Sequence, residues 1–199
     1  MNKFFYLASQ SPRRKEILDK LCAPYQLLNL VEGSNSNADF DETPFKNEHP
    51  VDYVKRTAFI KANAGWKYLV DHHLEKAPVL AVDTTVAINK KILGKPEDAT
   101  HARTMLQSLS GQSHQVLTAV TMKQGDAVVH KLSTTDVCMR VLQKNEIDAY
   151  IKTGEPFGKA GSYGIQGAAS IFITHIAGSY SGAVGLPIYE TSERIKKFG

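Results

Sequence analysis

Apolar and polar positions alternate along the chain in blocks of two periods, one suited to strands and one to helices. A short apolar run from Phe4 to Ala8 gives way to Ser9-Gln10-Ser11-Pro12, after which Ile17, Leu18, Leu21 and Cys22 recur at helical spacing. This reads as strand, loop and helix. Ser11 stands as a good N-cap and Pro12 at the first helical position, so Arg13 and Arg14 fall in the first turn. From Tyr25 to His49 the chain is polar, rich in Asn, Asp and Glu and broken by Gly33 and Pro44, which predicts an extended connection. A long helix follows from about Val51 to His72, with Val51, Val54, Ala58, Ala62, Gly65 and Leu69 on one face and Lys61 at its edge. Val79 to Ile88 is nearly continuous in apolar residues and suits a strand covered on both faces, yet Asp83, Thr84 and Thr85 interrupt it.

The second half continues the interleaving. A turn at Asn89, Lys90 and Lys91 leads to Ile92-Leu93-Gly94-Lys95-Pro96, and a helix from about Ala99 to Leu109 stops at Ser110-Gly111. Gln115–Met122 and Ala127–Met139 alternate about Lys123-Gln124-Gly125-Asp126 and predict a β-hairpin. A helix at about Asn145 to Thr153 ends at Gly154 and Pro156, and a glycine-bearing loop spans Gly158 to Gly167. A strand at Ser170 to Ile176, a second glycine-bearing loop and a helix from about Pro187 follow. Helices interleaved with strands that include a hairpin place the chain in the α/β or α+β class with a mixed sheet. No linker-like tract divides the 199 residues, so one domain over 1–199 is expected.

Composition narrows the setting more than the function. At 42% hydrophobic and 22% charged, the chain can close a sizeable core. The net charge of +4 favours anionic ligands only weakly, because lysines and arginines are dispersed. Neither a basic stripe nor an aromatic platform supports nucleic-acid binding. Cys22 and Cys138 lack the paired spacing of a zinc or redox site and read as buried small apolar residues. No stretch approaches the roughly 20 apolar residues that cross a bilayer, so no membrane association and a cytoplasmic location are expected.

Three groups could do chemistry. Ser9, Arg13 and Arg14 lie between a strand end and a helix N-terminus, where free N–H groups, the helix dipole and two guanidinium groups suit a polyphosphate. The plainer alternative is a pair of surface arginines. Asp83 sits mid-strand on a face with the small residues Ala81, Thr85 and Ala87, which leaves room for a ligand. A carboxylate there needs a metal, a cation or a hydrogen-bond network; a purely structural ion pair would also satisfy it. Lys61, Lys95 and Lys159 each flank an apolar segment or sit in a glycine-bearing loop, and with the two arginines could neutralise a triphosphate if the fold gathers them. The loop around Gln166 lacks Walker spacing, and the seven histidines show no metal-ligand spacing.

Leu7-Ala8-Ser9-Gln10-Ser11-Pro12-Arg13-Arg14 resembles the N-terminal signature of the Maf nucleotide pyrophosphatases. Asp41-Glu42-Thr43-Pro44, Tyr53-Val54-Lys55-Arg56 through Lys61-Ala62, Val82-Asp83-Thr84, Gly94-Lys95-Pro96 and Leu109-Ser110-Gly111-Gln112-Ser113-His114 follow in the family's order. So do Lys159 to Gly167 and Val184-Gly185-Leu186-Pro187. The resemblance departs in a longer connection through Glu32 to Ala38, where Glu32 competes with Glu42 as the family glutamate, and at Ile60, where many relatives carry glutamate. The register of Thr43, Pro44 and the following helix favours Glu42.

The resemblance implies a fold similar to inosine triphosphate pyrophosphatases, with a mixed twisted sheet and two lobes about a cleft. It implies hydrolysis of a nucleoside triphosphate between its α and β phosphates, with Asp83 as proton acceptor and Ser9, Arg13, Arg14, Lys61, Lys95 and Lys159 around the phosphates. Glu42 and Asp83 would hold a divalent cation, Mg²⁺ or Mn²⁺. Arg13, Thr84 and Gln166 mark the dTTP and UTP subgroup. Selectivity for CTP or a methylated GTP, a non-catalytic nucleotide-binding role in cell division, and a homodimer stay open.

Overall fold

The computed structural model describes residues 4–28, 30 and 41–198. The competing glutamate Glu32 and the longer stretch to Ala38 lie outside the described residues. The apolar run at Val79–Ile88 forms β3, the strand about which the others are arranged. One edge of β3 pairs from Val79 to Ala87 with β5 (Ser113–Gln124), which turns through Gly125 into β6 (Ala127–Met139). This is the expected hairpin, longer by two residues at each end of its first strand. The other edge of β3 is shared: β1 (Phe5–Ala8) pairs parallel with Val79 to Ala81, and β4 (Lys91–Leu93) pairs antiparallel with Val86 to Ile88. Val82 to Thr85 take part in neither ladder, so the sheet forks there. β2 (Tyr25–Leu27) joins β1 in parallel and β7 (Ile173–Ala177) joins β6 antiparallel, giving seven strands in a mixed sheet.

Alternation along β3 sorts its side chains onto two layers. Leu80, Val82, Val86 and Ile88 enter the larger core with Ile17 and Leu18 of α1 (Pro12–Asp19), Met105 and Leu106 of α3 (Ala99–Leu109), and Ile147 and Ile151 of α4 (Lys144–Lys152). Val184 of α5 (Tyr180–Val184) and residues of α6 (Ile188–Phe198) pack on the same side. The opposite face carries α2 (Pro50–Asp71), whose Ala62 and Leu69 meet Val79 and Ala81 while Val54 and Ala58 meet Ala87. Gly65 permits that approach: a Cβ there would stand 2.8 Å from Val79 Cγ1 and 3.2 Å from Leu28 Cδ2. The small residues beside Asp83 therefore seat α2, and the open space lies at the forked edge of the strand rather than over its face.

Several expectations are corrected. Ser11 occupies the N-cap position of α1, but its side chain makes no capping hydrogen bond. Cys22 is exposed, in a left-handed turn just beyond α1, and Cys138 is only half-buried because it faces away from the core that Val137 and Met139 enter. The strand expected from Ser170 starts at Ile173. Before it, Ala168–Phe172 is a 3₁₀ turn, held where Ser170 N donates to Gly167 O and Ala168 N to Glu155 Oε2. Within the connection expected after Tyr25, Tyr25–Leu27 is a short strand, since its backbone completes the outer edge of β1.

Candidate active site

The fork in the sheet opens into a cleft of about 1280 Å³. Ser9, Arg13, Arg14, Glu42, Lys61, Asp83, Thr84, Lys95, Lys159 and Gln166 all border it, so residues scattered over 158 positions converge on one space. The strand edge left free at Val82–Thr85 presents Asp83 and Thr84 from opposite faces to the same opening.

Arg13 and Arg14 share the first turn of α1 but differ in their commitments. Arg14 Nε donates to Gly185 O (2.9 Å), and its terminal nitrogens donate to Ser9 Oγ (3.1 Å) and Thr84 Oγ1 (3.3 Å). Thr84 Oγ1 also meets Thr118 Oγ1 at 3.0 Å. Burial lowers the Arg14 pKa, against the opposing pull of Asp83. Arg14 thus ties α1, β3 and the loop after α5 together at the floor of the cleft. Arg13 borders the cleft and has no hydrogen bond or ion pair to any described residue.

On the α2 side, Lys61 bridges two carboxylates, with Nζ 2.7 Å from Asp83 Oδ1 and 2.8 Å from Glu42 Oε1. The Glu42 contact is an ion pair without hydrogen-bond direction, and its oxygen is buried. Tyr53, two turns before Lys61 on α2, closes the wall; burial and the two carboxylates push its hydroxyl up to about 12. Glu42 reaches Lys61 because Arg56 straps the preceding segment down. Arg56 donates to Asp41 O (3.3 Å) and Thr43 O (3.0 Å), pairs with Glu48 through Nε (2.7 Å) and a second nitrogen (2.8 Å), and stacks its guanidinium 4.0 Å from the Phe45 ring centroid.

The remaining wall comes from the loops after β4 and α4. Gly161 N donates to Gly94 O (3.0 Å) and joins the loop bearing Lys95 to the loop bearing Lys159. Lys95 is exposed and makes no ion pair with a described residue. The Lys159 ammonium donates to Glu155 O, and burial together with Arg13 lowers its pKa. Gln166 is exposed on the cleft wall. Sequence reasoning did not single out Tyr53, Arg56 or Glu155. Tyr53 and Arg56 stood inside a recognised motif block, whereas Glu155 looked like part of a helix stop between Gly154 and Pro156.

Among the described residues, no group of three or more His, Cys, Asp or Glu could hold a metal by protein ligands alone. Glu42 and Asp83, two carboxylates gathered on Lys61 at the cleft, nevertheless suit a hard cation that takes its other ligands from water and phosphate, as Mg²⁺ does. Five cationic side chains and a bridged carboxylate pair at the fork of a mixed sheet define an α/β protein with a cleft for a phosphate-rich anion. The chain belongs to the Maf family: the family model described as Maf-like protein matches residues 4–198. It is 48% identical over 194 residues to a dTTP/UTP pyrophosphatase of Nitrosomonas europaea, covering 98% of this chain and 94% of that protein. A protein of the same name from Pseudoalteromonas atlantica is 49% identical over 191 residues, with 96% and 95% covered. Another from Chromobacterium violaceum is 46% identical over 194 residues, with 98% and 94% covered.

Proposed function

We propose that this protein is a nucleoside triphosphate pyrophosphatase that hydrolyses dTTP and UTP to the nucleoside monophosphate and pyrophosphate. The observation that carries the proposal is the Glu42–Lys61–Asp83 bridge facing Arg13, Lys95 and Lys159 across one cleft. Relatives with 46–49% identity that bear the name dTTP/UTP pyrophosphatase support the same reading. Arg13, Lys95 and Lys159 face the phosphates, with Ser9 and the buried Arg14 at the floor. Lys61 fixes Oδ1 of Asp83, and Oδ2 has no hydrogen-bond partner among the described residues. Asp83 orients a water and takes its proton as the water oxygen bonds to the α-phosphorus and the bond to the bridging oxygen breaks. The leaving pyrophosphate carries away that oxygen, and the cationic walls stabilise its charge. Glu42 and Asp83 would hold a divalent cation, Mg²⁺ with Mn²⁺ as substitute, which when bound neutralises phosphate charge.

Thr84, Arg13 and Gln166 set the base preference in this reading. A glutamine amide held in one orientation offers a donor and an acceptor to the carbonyl and N3–H edge shared by thymine and uracil, and in that orientation cytosine mismatches both. Two cysteines that form no disulfide suit a reducing compartment, and we place the enzyme in the cytoplasm. No described helix is long and apolar enough to cross a membrane. Pyrophosphate release from dTTP, UTP, CTP and GTP with Mg²⁺ tests the proposal. The expected kcat/KM for dTTP and UTP exceeds that for CTP by about tenfold or more, the effect of one mismatched buried polar group. Equal values for all four would remove the base assignment, and absence of pyrophosphate would remove the reaction.

A further inference from the structure

Gln166 sits on a turn with an unusual support. Gly167 N donates to Gly164 O (3.0 Å), closing a tight turn that carries Ile165 and Gln166 between two glycines. Ile165 is buried and Gln166 exposed, so the turn is anchored on one side and presents its amide on the other. Each glycine lies under a long side chain. A Cβ on Gly164 would stand 3.0 Å from Lys159 Cε and 3.1 Å from Cδ, and a Cβ on Gly167 would overlap the Glu155 carboxylate. The Lys159 ammonium donates to the Glu155 carbonyl, which links the two supports. Glu155 Oε1 accepts from the Tyr150 hydroxyl (2.9 Å) on α4, and Oε2 accepts from Ala168 N (2.8 Å), directly after the turn. One carboxylate thus fastens the turn to a helix that is packed in the core through Ile147, Tyr150 and Ile151.

We propose that Glu155 is a positioning residue for nucleobase selection, holding the Gly164–Gly167 turn and with it the Gln166 amide against the cleft. This rests on the reading of Gln166 as the side chain that reads the base, and deepens it. Glu155 borders the cleft, but both its carboxylate oxygens are engaged, by the Tyr150 hydroxyl and Ala168 N, so it acts through a turn whose two glycines leave space for it and for Lys159. Losing it frees the turn to sample positions in which the amide no longer matches dTTP. The affinity for the preferred base should fall, while hydrolysis of bound nucleotide continues.

The test compares kcat, KM and Tm for dTTP and CTP in the full-length protein and in Gln166→Ala, Glu155→Ala, Glu155→Gln, Gly167→Ala and Glu155→Ala/Gly167→Ala. Glu155→Ala is expected to reduce the dTTP-to-CTP ratio of kcat/KM by about tenfold, mainly through KM for dTTP, as expected for one polar match lost. Glu155→Gln should restore most of the ratio, because its amide can accept from Ala168 N and donate to the Tyr150 hydroxyl. Gly167→Ala should lower the ratio alone but change it by less than about twofold in the Glu155→Ala background, the coupling expected when both act on one contact. A Glu155→Ala protein with lowered Tm and an unchanged ratio overturns the proposal. If Glu155→Ala does not fold, Gly167→Ala carries the test, and an unchanged ratio there overturns it equally. Collapse of the ratio in Gln166→Ala with silent Glu155 and Gly167 variants defeats the positioning role alone. A parent protein without preference for dTTP defeats the base-reading assignment and this inference with it.

Discussion

Arg13 and Arg14 are neighbours in one helical turn, yet the fold divides structural and ligand-facing work between them. The sequence placed both at a helix N-terminus and could not separate them, because the partners of Arg14 lie 70 and 171 positions away in Thr84 and Gly185. Arg14→Ala should lower stability by about 1–3 kcal/mol as Gly185 O and the two hydroxyls lose a charged donor, visible as a lowered Tm without nucleotide. Arg13→Ala should leave Tm unchanged and reduce kcat/KM for every triphosphate through the lost phosphate contact, dTTP and UTP losing most because Arg13 also sets the base preference. Equal Tm losses in both variants would show that Arg13 is structural too. Asp83 was legible as an oddity: a carboxylate inside the most apolar strand must have a partner. Lys61 as that partner was legible only as a lysine at the edge of a buried helix face, and the bridge to Glu42 only through motif order.

At the scale of elements, periodicity located the longer helices and strands, because each buries one face and the apolar spacing records it, and it missed the three- to five-residue β2, β4 and α5, which are too short to show a period. It failed where local hydrogen bonding outweighs pattern. Ser170 and its neighbours read as strand, but Glu155 and Gly167 pin them in a 3₁₀ turn. The segment from Asp41 to Glu48 has no periodic signal at all; Arg56 of α2 holds it through two backbone carbonyls, Glu48 and the Phe45 ring. Arg56→Ala should therefore loosen Glu42 without touching Asp83 or the cationic wall. The expected result is activity that needs about tenfold more Mg²⁺ for half-maximal rate, in line with the loss of a supporting shell around a ligand, with kcat near the parent value at saturating metal. An unchanged Mg²⁺ dependence would mean that Glu42 holds its place without the strap.

For the molecule as a whole, the class of fold was readable from interleaved helices and strands, but the order of the sheet was not. That β1 and β4 share one edge of β3 and leave Val82–Thr85 between them is a long-range pairing that no local pattern encodes. The fork is what brings the two halves of the chain to one cleft. His114 links this cleft to the sheet from below, with Nε2 2.7 Å from the Tyr163 hydroxyl. Burial, outweighing nearby Asp136, lowers its pKa from 6.5 to about 4. Between these values the unfolded chain binds the proton and the folded one does not, so the stability from neutral His114 is complete above about pH 6.5 and is lost as pH falls through about 4. The fall in Tm between those pH values should be shallower in His114→Gln than in the parent; an identical slope would show that other groups carry it. The central claim, water attack on the α-phosphorus assisted by Asp83, is tested most directly by hydrolysing dTTP in ¹⁸O-labelled water with Mg²⁺. The label should appear in dTMP and not in pyrophosphate, and Asp83→Asn should slow its appearance by about 10²-fold or more, the range for loss of a general base. Label in pyrophosphate, release of orthophosphate, or an undiminished rate in Asp83→Asn would contradict the account.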